Sequence, residues 1–313
     1  MMKYLFIINP TAGKGNRQED IIKGVKAFFS GKDADYEIYL TTAPGDAKQK
    51  ANTAAKSGED LTVFACGGEG TVFEVLNGIV GFSNVVLGVV PCGSANDFLK
   101  FFPDSTPFSD IAAQIDGVAV LTDIIKANEY YCLNGCSVGM DAVVARDMSI
   151  FKRWRGVSGP MAYKLAVLKT FFGKIGVSVE LSVDGGEPRR EDCLFAVIAN
   201  APYYGGGYKS APEANPFDNE LDFTKVDTIS KLKVPKFLSL YEKGEHGVLD
   251  YCTLKRCSAM EFCAKSPVPV NLDGEIIETK NMRFEIVKGG VRFVLPRPVY
   301  ESVKNSLKVI HFA

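Results

Sequence analysis

Histidine is almost missing from this chain. Only His246 and His311 occur in 313 residues, too few for a zinc site built on imidazoles, and any serine–histidine triad would rest on one of the two. No two of the eight cysteines form a C-x-x-C pair. They sit mostly inside apolar runs, as reduced core thiols do, so cytosolic thiols are expected and a disulfide framework is not. An excess of charge is missing too. At a formal net charge of -1 there is no basic field for nucleic acid, and attraction to an anionic membrane would need a local patch. No run of about 18 apolar residues occurs, so no transmembrane helix is expected. The apolar start from Tyr4 ends at Asn9-Pro10, short of signal-peptide length, and reads as a buried strand. There is no Walker A string, and no G-x-G-x-x-G after the first strand, which argues against a nicotinamide oxidoreductase.

What is present is core-forming material. Hydrophobic residues make up 46% of the chain, enough for one large domain or two ordinary ones. The first part alternates. Strands are expected at 4–9, 36–40, 61–65 and 85–90. Helices are expected around Ile21 to Phe29, over 46–56, over 71–80, and from Gly93 through Phe101. Short connections between them imply a mostly parallel sheet covered on both faces. Beyond about residue 125 the texture changes. One helix is expected from Pro160 to Phe172. Then come strands, among them 177–183 with period two and Asp184-Gly185-Gly186 as a hairpin turn, followed by 193–199, 221–226, 251–257, 268–272, 282–287 and 291–295. The expected organisation is an α/β domain over 1–125, a β-rich, sandwich-like domain over 126–295, and a helix within 296–313 docking back on the first domain.

Three turns stand at carboxyl ends of expected strands, where parallel α/β sheets bind ligands. Asn9-Pro10-Thr11-Ala12-Gly13-Lys14-Gly15, taken alone, is an ordinary turn. Gly67-Gly68-Glu69-Gly70-Thr71 carries more information. Glycines let a phosphate approach the backbone, and the following helix start offers amides and the positive end of its dipole. A carboxylate beside phosphate is unexpected without a cation, so Glu69 is a candidate partner of Mg²⁺ or of an acceptor hydroxyl. Pro91-Cys92-Gly93-Ser94-Ala95-Asn96-Asp97-Phe98 repeats the logic: Ser94 is suited to phosphate, and Asn96 or Asp97 to capping. By spacing alone Asp273-Gly274 is a hairpin-turn signal.

Together these strings become specific. N-P-x-x-G-x-G, G-G-E-G-T and P-x-G-S-x-N-D-F resemble, in order, the nucleotide-binding domain of diacylglycerol kinases and their bacterial lipid-kinase relatives. The resemblance continues through Thr122-Asp123-Ile124, Asn134 to Asp141, Gly159-Pro160-Met161-Ala162-Tyr163, Asn200 with Gly205-Gly206-Gly207, Ala211-Pro212-Glu213-Ala214, and Leu272-Asp273-Gly274-Glu275. It spans nearly the whole chain.

The resemblance implies two domains, ATP with Mg²⁺, and transfer of the γ-phosphoryl group to a lipid hydroxyl, diacylglycerol first. Gly67, Gly68, Gly70, Thr71 and Ser94 would cradle phosphates, and Asn9 would hold the first turn beside the nucleotide. Asp97 and Asp123 would form a charged network at the metal. Asp273 would be the general base, with Glu275 orienting it or a metal-bound water. Two departures are visible: Glu69 stands where the family carries Asp, and Phe73 where relatives often carry Asn. Asp218 lies in a loop where relatives hold a structural metal, and is a candidate ligand. Phe151-Lys152-Arg153-Trp154-Arg155 is the candidate membrane contact, its ring and cations suited to a headgroup layer. A cytoplasmic, peripherally membrane-associated enzyme is expected, with a homodimer as the assembly to test. A kinase with another acceptor (a sphingoid base, NAD), or a weakly catalytic sensor because of Glu69, is the alternative. A T-x-T-G-S-T-A-Y-like segment, expected of NAD kinases, is absent.

Overall fold

β3 (Leu61–Gly67) and β4 (Val85–Pro91) are apolar without alternation, as strands covered on both faces must be. β1 (Lys3–Ile8) pairs with β3 on one side and with β2 (Asp35–Leu40) on the other, and every pairing in the order β2-β1-β3-β4 is parallel. The winding reverses between β1 and β3, and α/β sheets take ligands outside the strand ends at such a switch. The crossovers are α1 (Arg17–Phe29), α2 (Asp46–Ala55) and α3 (Glu69–Ile79). α1 buries Ile21, Val25 and Phe29 at helical spacing, and α2 buries Ala47, Ala51 and Ala55. That alanine stripe lets α3 approach closely: a Cβ on Gly78 would stand 2.6 Å from the Lys48 carbonyl oxygen.

The structure, a computed structural model, describes residues 3–307 except 14, 93–95, 152, 153, 155, 158–160, 163, 164, 167, 168, 171–175 and 306. The chain forms two compact units. The first comprises residues up to 124, 216–219 and those from 287 onward; the second comprises 125–215 and 220–286. The first unit also contains α4 (Ile111–Ile115), most of β5 (Val118–Ala127), the end of β13 (Glu275–Leu295) and α7 (Arg297–Val303). Arg292 and Phe293 of β13 run parallel to Val86 and Leu87 of β4, adding a strand to that sheet.

The second unit is antiparallel. β7 (Gly135–Gly139) and β8 (Val177–Val183) each pair with both β9 (Arg189–Ala199) and β12 (Ala259–Leu272). β10 (Leu221–Asp227) joins β9 to the edge strand β11 (Cys252–Cys257). The short β6 (Tyr130–Cys132) pairs with β5. α6 (Val234–Lys243) sets Phe237 and Tyr241 against Phe195 of β9. α5 (Met140–Phe151) follows β7 directly. The fold is the expected one, an α/β unit and a β-rich sandwich-like unit. All eight cysteines are free thiols.

Three local expectations change. The helix expected from Gly93 is a 3-10 turn over Asp97–Phe101 preceded by Asn96 at φ 121, a conformation no α-helix can include. The strands expected at 282–287 and 291–295 are one, β13. α6 falls where strands and turns were expected, and α5 in a stretch for which no element was expected. The helix expected from Pro160 to Phe172 lies largely outside the described residues.

Candidate active site

Each glycine after β3 has a different reason to be there. A Cβ on Gly67 would lie 2.3 Å from the Thr71 hydroxyl oxygen, so the tight turn into α3 itself excludes a side chain. Gly68, the residue before α3, has an ordinary extended backbone (φ -93, ψ -171), and a Cβ there would meet no described residue within 4 Å. Neither torsion nor any described neighbour requires glycine at 68, and among the described residues the space above the helix start is open. Asn9 reaches this turn from β1: its Nδ2 donates to the Thr71 hydroxyl at 3.4 Å. Its Oδ1 accepts the N–H and hydroxyl of Thr11 at 3.0 and 2.8 Å. Gly13, at φ +85, closes against the end of β4, where a Cβ would overlap the Cys92 carbonyl oxygen.

The turn after β4 is tied to the turn after β3. Asn96 donates through Nδ2 to the Gly67 carbonyl at 3.3 Å, and the Asp97 N–H donates to the Glu69 carboxylate at 3.1 Å. Burial pushes the Glu69 carboxyl up from its ordinary value; the Asp97 amide opposes this and the Asp97 charge adds to it. Asp97 is buried and paired with Lys100 at 2.6 Å. Arg17 of α1 donates to the Pro91 carbonyl at 3.3 Å. Neither Lys100 nor Arg17 was singled out from the sequence. The i,i+3 spacing of Asp97 and Lys100 was the available signal for the first; a contact 74 residues apart gave none for the second. Ser94 lies outside the described residues.

Asp123 lies in β5 and is buried. Its carboxylate accepts the N–H of Asn219 at 2.8 Å and of Gly289 at 2.7 Å, and its own N–H donates to the Pro216 carbonyl at 2.9 Å. It thereby fastens the segment 216–219 and the returning β13 to β5. Burial raises its carboxyl, and the nearby Asp218 charge raises it further. Asp218 thus stands by Asp123. Among the described residues no group of three or more His, Cys, Asp or Glu side chains is placed to hold a metal ion.

In the second unit Asp273 occupies the left-handed region at φ 48, in the turn between β12 and β13. Its buried carboxylate accepts three backbone N–H groups: Leu133 at 2.5 Å, Asn134 at 3.1 Å and Gly135 at 2.8 Å. Its own N–H returns to the Gly135 carbonyl at 3.1 Å. The Asn271 side chain accepts the Gly274 N–H at 2.7 Å and shapes the same turn. Glu275 is exposed at the start of β13.

Residues 3–127 match the family model described as the diacylglycerol kinase catalytic domain, and residues 134–295 match the YegS C-terminal NAD kinase beta sandwich-like domain. The chain belongs to the diacylglycerol kinase family. Within it, the chain is 28% identical to a diacylglycerol kinase of Bacillus subtilis (strain 168), over 88% of this chain and 90% of the relative. To a diacylglycerol kinase of Staphylococcus epidermidis (strain ATCC 12228) it is 27% identical, over 94% and 92%. A crystal structure of a diacylglycerol kinase from Bacillus anthracis str. Sterne superposes with a TM-score of 0.67 at 20% identity, covering 95% of this chain and 98% of that one, a likeness of fold. Membership of the diacylglycerol kinase family makes the protein a lipid-kinase-type phosphotransferase. No helix of the described residues is long and apolar enough to cross a membrane.

The residues present fit a bound phosphate. Among the described residues nothing fills the space over Gly68, at the amino end of α3, where the first N–H groups of a helix and its dipole favour an anion. Mg²⁺ is commonly held by one or two carboxylates together with substrate phosphates, and Glu69 and Asp97 are the carboxylates of these turns that would hold it.

Proposed function

We propose that the protein transfers the γ-phosphoryl group of ATP to the primary hydroxyl of diacylglycerol, giving phosphatidic acid. The observation that carries this reading is Gly68: glycine stands where its backbone torsions and the described neighbours do not require it, over a helix start suited to phosphate. Gly67 and Thr71 shape that turn, Asn9 braces it through Thr71, and Gly70 and Ser94 take the phosphate-binding roles that the family resemblance gives them. Mg²⁺, when bound, neutralises charge on the transferring phosphate. Glu69 and Asp97 are the residues that would hold it. Asp273 accepts the acceptor's proton, in the role that the family resemblance gives it, and Glu275 orients it. Three described apolar side chains in 150–161 support peripheral membrane contact: Ile150, Trp154 and Met161 are 45%, 55% and 51% exposed. The Phe151 and Trp154 rings pack edge to face at 4.8 Å, and the sequence adds Lys152, Arg153 and Arg155.

The test is a phosphorylation assay with labelled ATP and Mg²⁺, offering diacylglycerol, a sphingoid base, a polyprenol and NAD in parallel. Label should enter phosphatidic acid, and Asp273→Asn should abolish the transfer while ATP binding persists. Transfer to NAD or the sphingoid base alone would replace the acceptor. ATP binding with no transfer to any acceptor would favour the sensor reading.

A further inference from the structure

We propose that Asn200 is a positioning residue for Asp273, acting through the peptide groups that hold its carboxylate. This rests on the reading of Asp273 as proton acceptor. Each peptide unit is a rigid plane with its C=O at one edge and its N–H at the other. The Asn134 N–H that donates to Asp273 shares a plane with the Leu133 carbonyl, and the Gly135 N–H shares one with the Asn134 carbonyl. Asn200 grips both carbonyls. Its Nδ2 donates to Leu133 O at 2.8 Å, and its backbone N–H donates to Asn134 O at 2.8 Å. One buried residue thus fixes, from behind, two of the three planes whose front edges hold the carboxylate.

The backbone half of this grip continues the pairing of β7 with β9, in which Gly135 stands opposite Ala199, and any residue at 200 supplies it. Only a side-chain amide at this position reaches Leu133 O. Asn134 adds a brace of its own, donating through Nδ2 to the Tyr203 carbonyl at 3.0 Å. Because hydrogen bonds in series polarise one another, a donor on the carbonyl also strengthens the N–H of the same peptide toward the carboxylate. Removing Nδ2 frees the Leu133–Asn134 plane to rotate, and the carboxylate with it.

Asn200→Ala removes the donor, and Asn200→Asp sets an acceptor against Leu133 O. Asn84→Ala is the control for stability alone. Asn84 makes a comparable clamp in the first unit, with Nδ2 donating to the carbonyls of Ala55 at 3.3 Å and Glu59 at 2.7 Å. The readouts are kcat, KM for ATP and for diacylglycerol, the pH–rate profile and the thermal midpoint. Both Asn200 variants should lose about 10- to 100-fold in kcat, with KM for ATP within about twofold and a displaced pH–rate profile. Asn84→Ala, at a similar loss of thermal midpoint, should keep its kcat. Wild-type kcat and pH profile in Asn200→Ala, or an equal kcat loss in Asn84→Ala, would overturn the proposal. The NMR amide signals of Leu133, Asn134 and Gly135 and the titration of the Asp273 carboxyl separate this from the kinase reading. They should change in Asn200→Ala even if the wild type phosphorylates nothing, and unchanged signals would sink the positioning role on their own.

Discussion

The carboxylate of Glu69 accepts the Asp97 N–H at 3.1 Å and so links the turn after β3 to the 3-10 turn after β4. Asn96, between the two, holds φ 121 and donates to the Gly67 carbonyl. Such a backbone costs a non-glycine residue about 1–3 kcal/mol and persists only where neighbours enforce it. The Glu69 tie is one of those neighbours. An aspartate on the same backbone is shorter by one carbon–carbon bond, about 1.5 Å, and falls outside hydrogen-bond distance of the Asp97 amide. Glu69→Asp, which restores the family's usual residue, is therefore expected to destabilise the protein by ~1–3 kcal/mol, the worth of a hydrogen bond to a charged group. Its turnover should not rise. Urea unfolding beside the phosphorylation assay checks both. A variant as stable as the wild type with higher turnover would mean that Glu69 is a lesion in the site and that the protein is closer to a sensor.

At the level of elements, the loop into α3 separates two requirements that a glycine count merges. Gly67 is demanded by Thr71, whereas Gly68 is demanded by none of the described residues. Serine is a good residue immediately before a helix, and its hydroxyl can accept one of the first free N–H groups. Gly68→Ser should therefore fold at least as well as the wild type, while its side chain fills the space reserved for phosphate. The expected outcome is an unchanged or higher thermal midpoint and an ATP dissociation constant at least about 10-fold weaker, as a steric intrusion on a closely held phosphate would give. Unchanged ATP affinity would remove the main support for the phosphate site. Elements of this kind were legible in the sequence because their causes are local. Leu61 to Ala65 is an unbroken apolar run, and Ile21, Val25 and Phe29 are one helical face. α6 was equally local, with Val234, Phe237 and Tyr241 at helical spacing, but it was passed over in a region rich in strands. The remaining site geometry had no local cause. The cradle of Asp273 is made by residues 138 to 140 positions away, and the partners of Asp123 lie 96 and 166 positions along the chain. No periodicity or turn signal encodes such pairings.

Over the whole molecule, the buried ionisable groups set opposing slopes of stability against pH. Desolvation foremost raises the carboxyls of Glu69, Asp123 and Asp141. A carboxyl raised in the folded state keeps its proton to higher pH than in the unfolded chain. Its contribution is present below the usual carboxyl range and is lost as pH rises through the folded value. His246 has the opposite sign. It is fully buried, its ring packs on Tyr241 at 4.9 Å, and burial lowers it from 6.5 despite a contact with the Ser210 backbone. As pH falls below 6.5 the unfolded chain takes up that proton first, so stability falls until the folded value is passed. As pH falls, the carboxyls therefore add stability while His246 removes it, and removing His246 isolates its part. His246→Phe keeps an aromatic ring against Tyr241 without a titrating nitrogen. Whatever offset the larger ring causes, it should be the same at every pH, while the histidine's own slope disappears. Urea midpoints at about pH 8 and about pH 5.5 should show the variant gaining on the wild type in acid. His246→Leu should repeat the trend with a constant loss of ring packing added. Parallel pH curves for all three proteins would mean that the imidazole is protonated to the same extent folded and unfolded, and that the acid response belongs to the carboxyls alone.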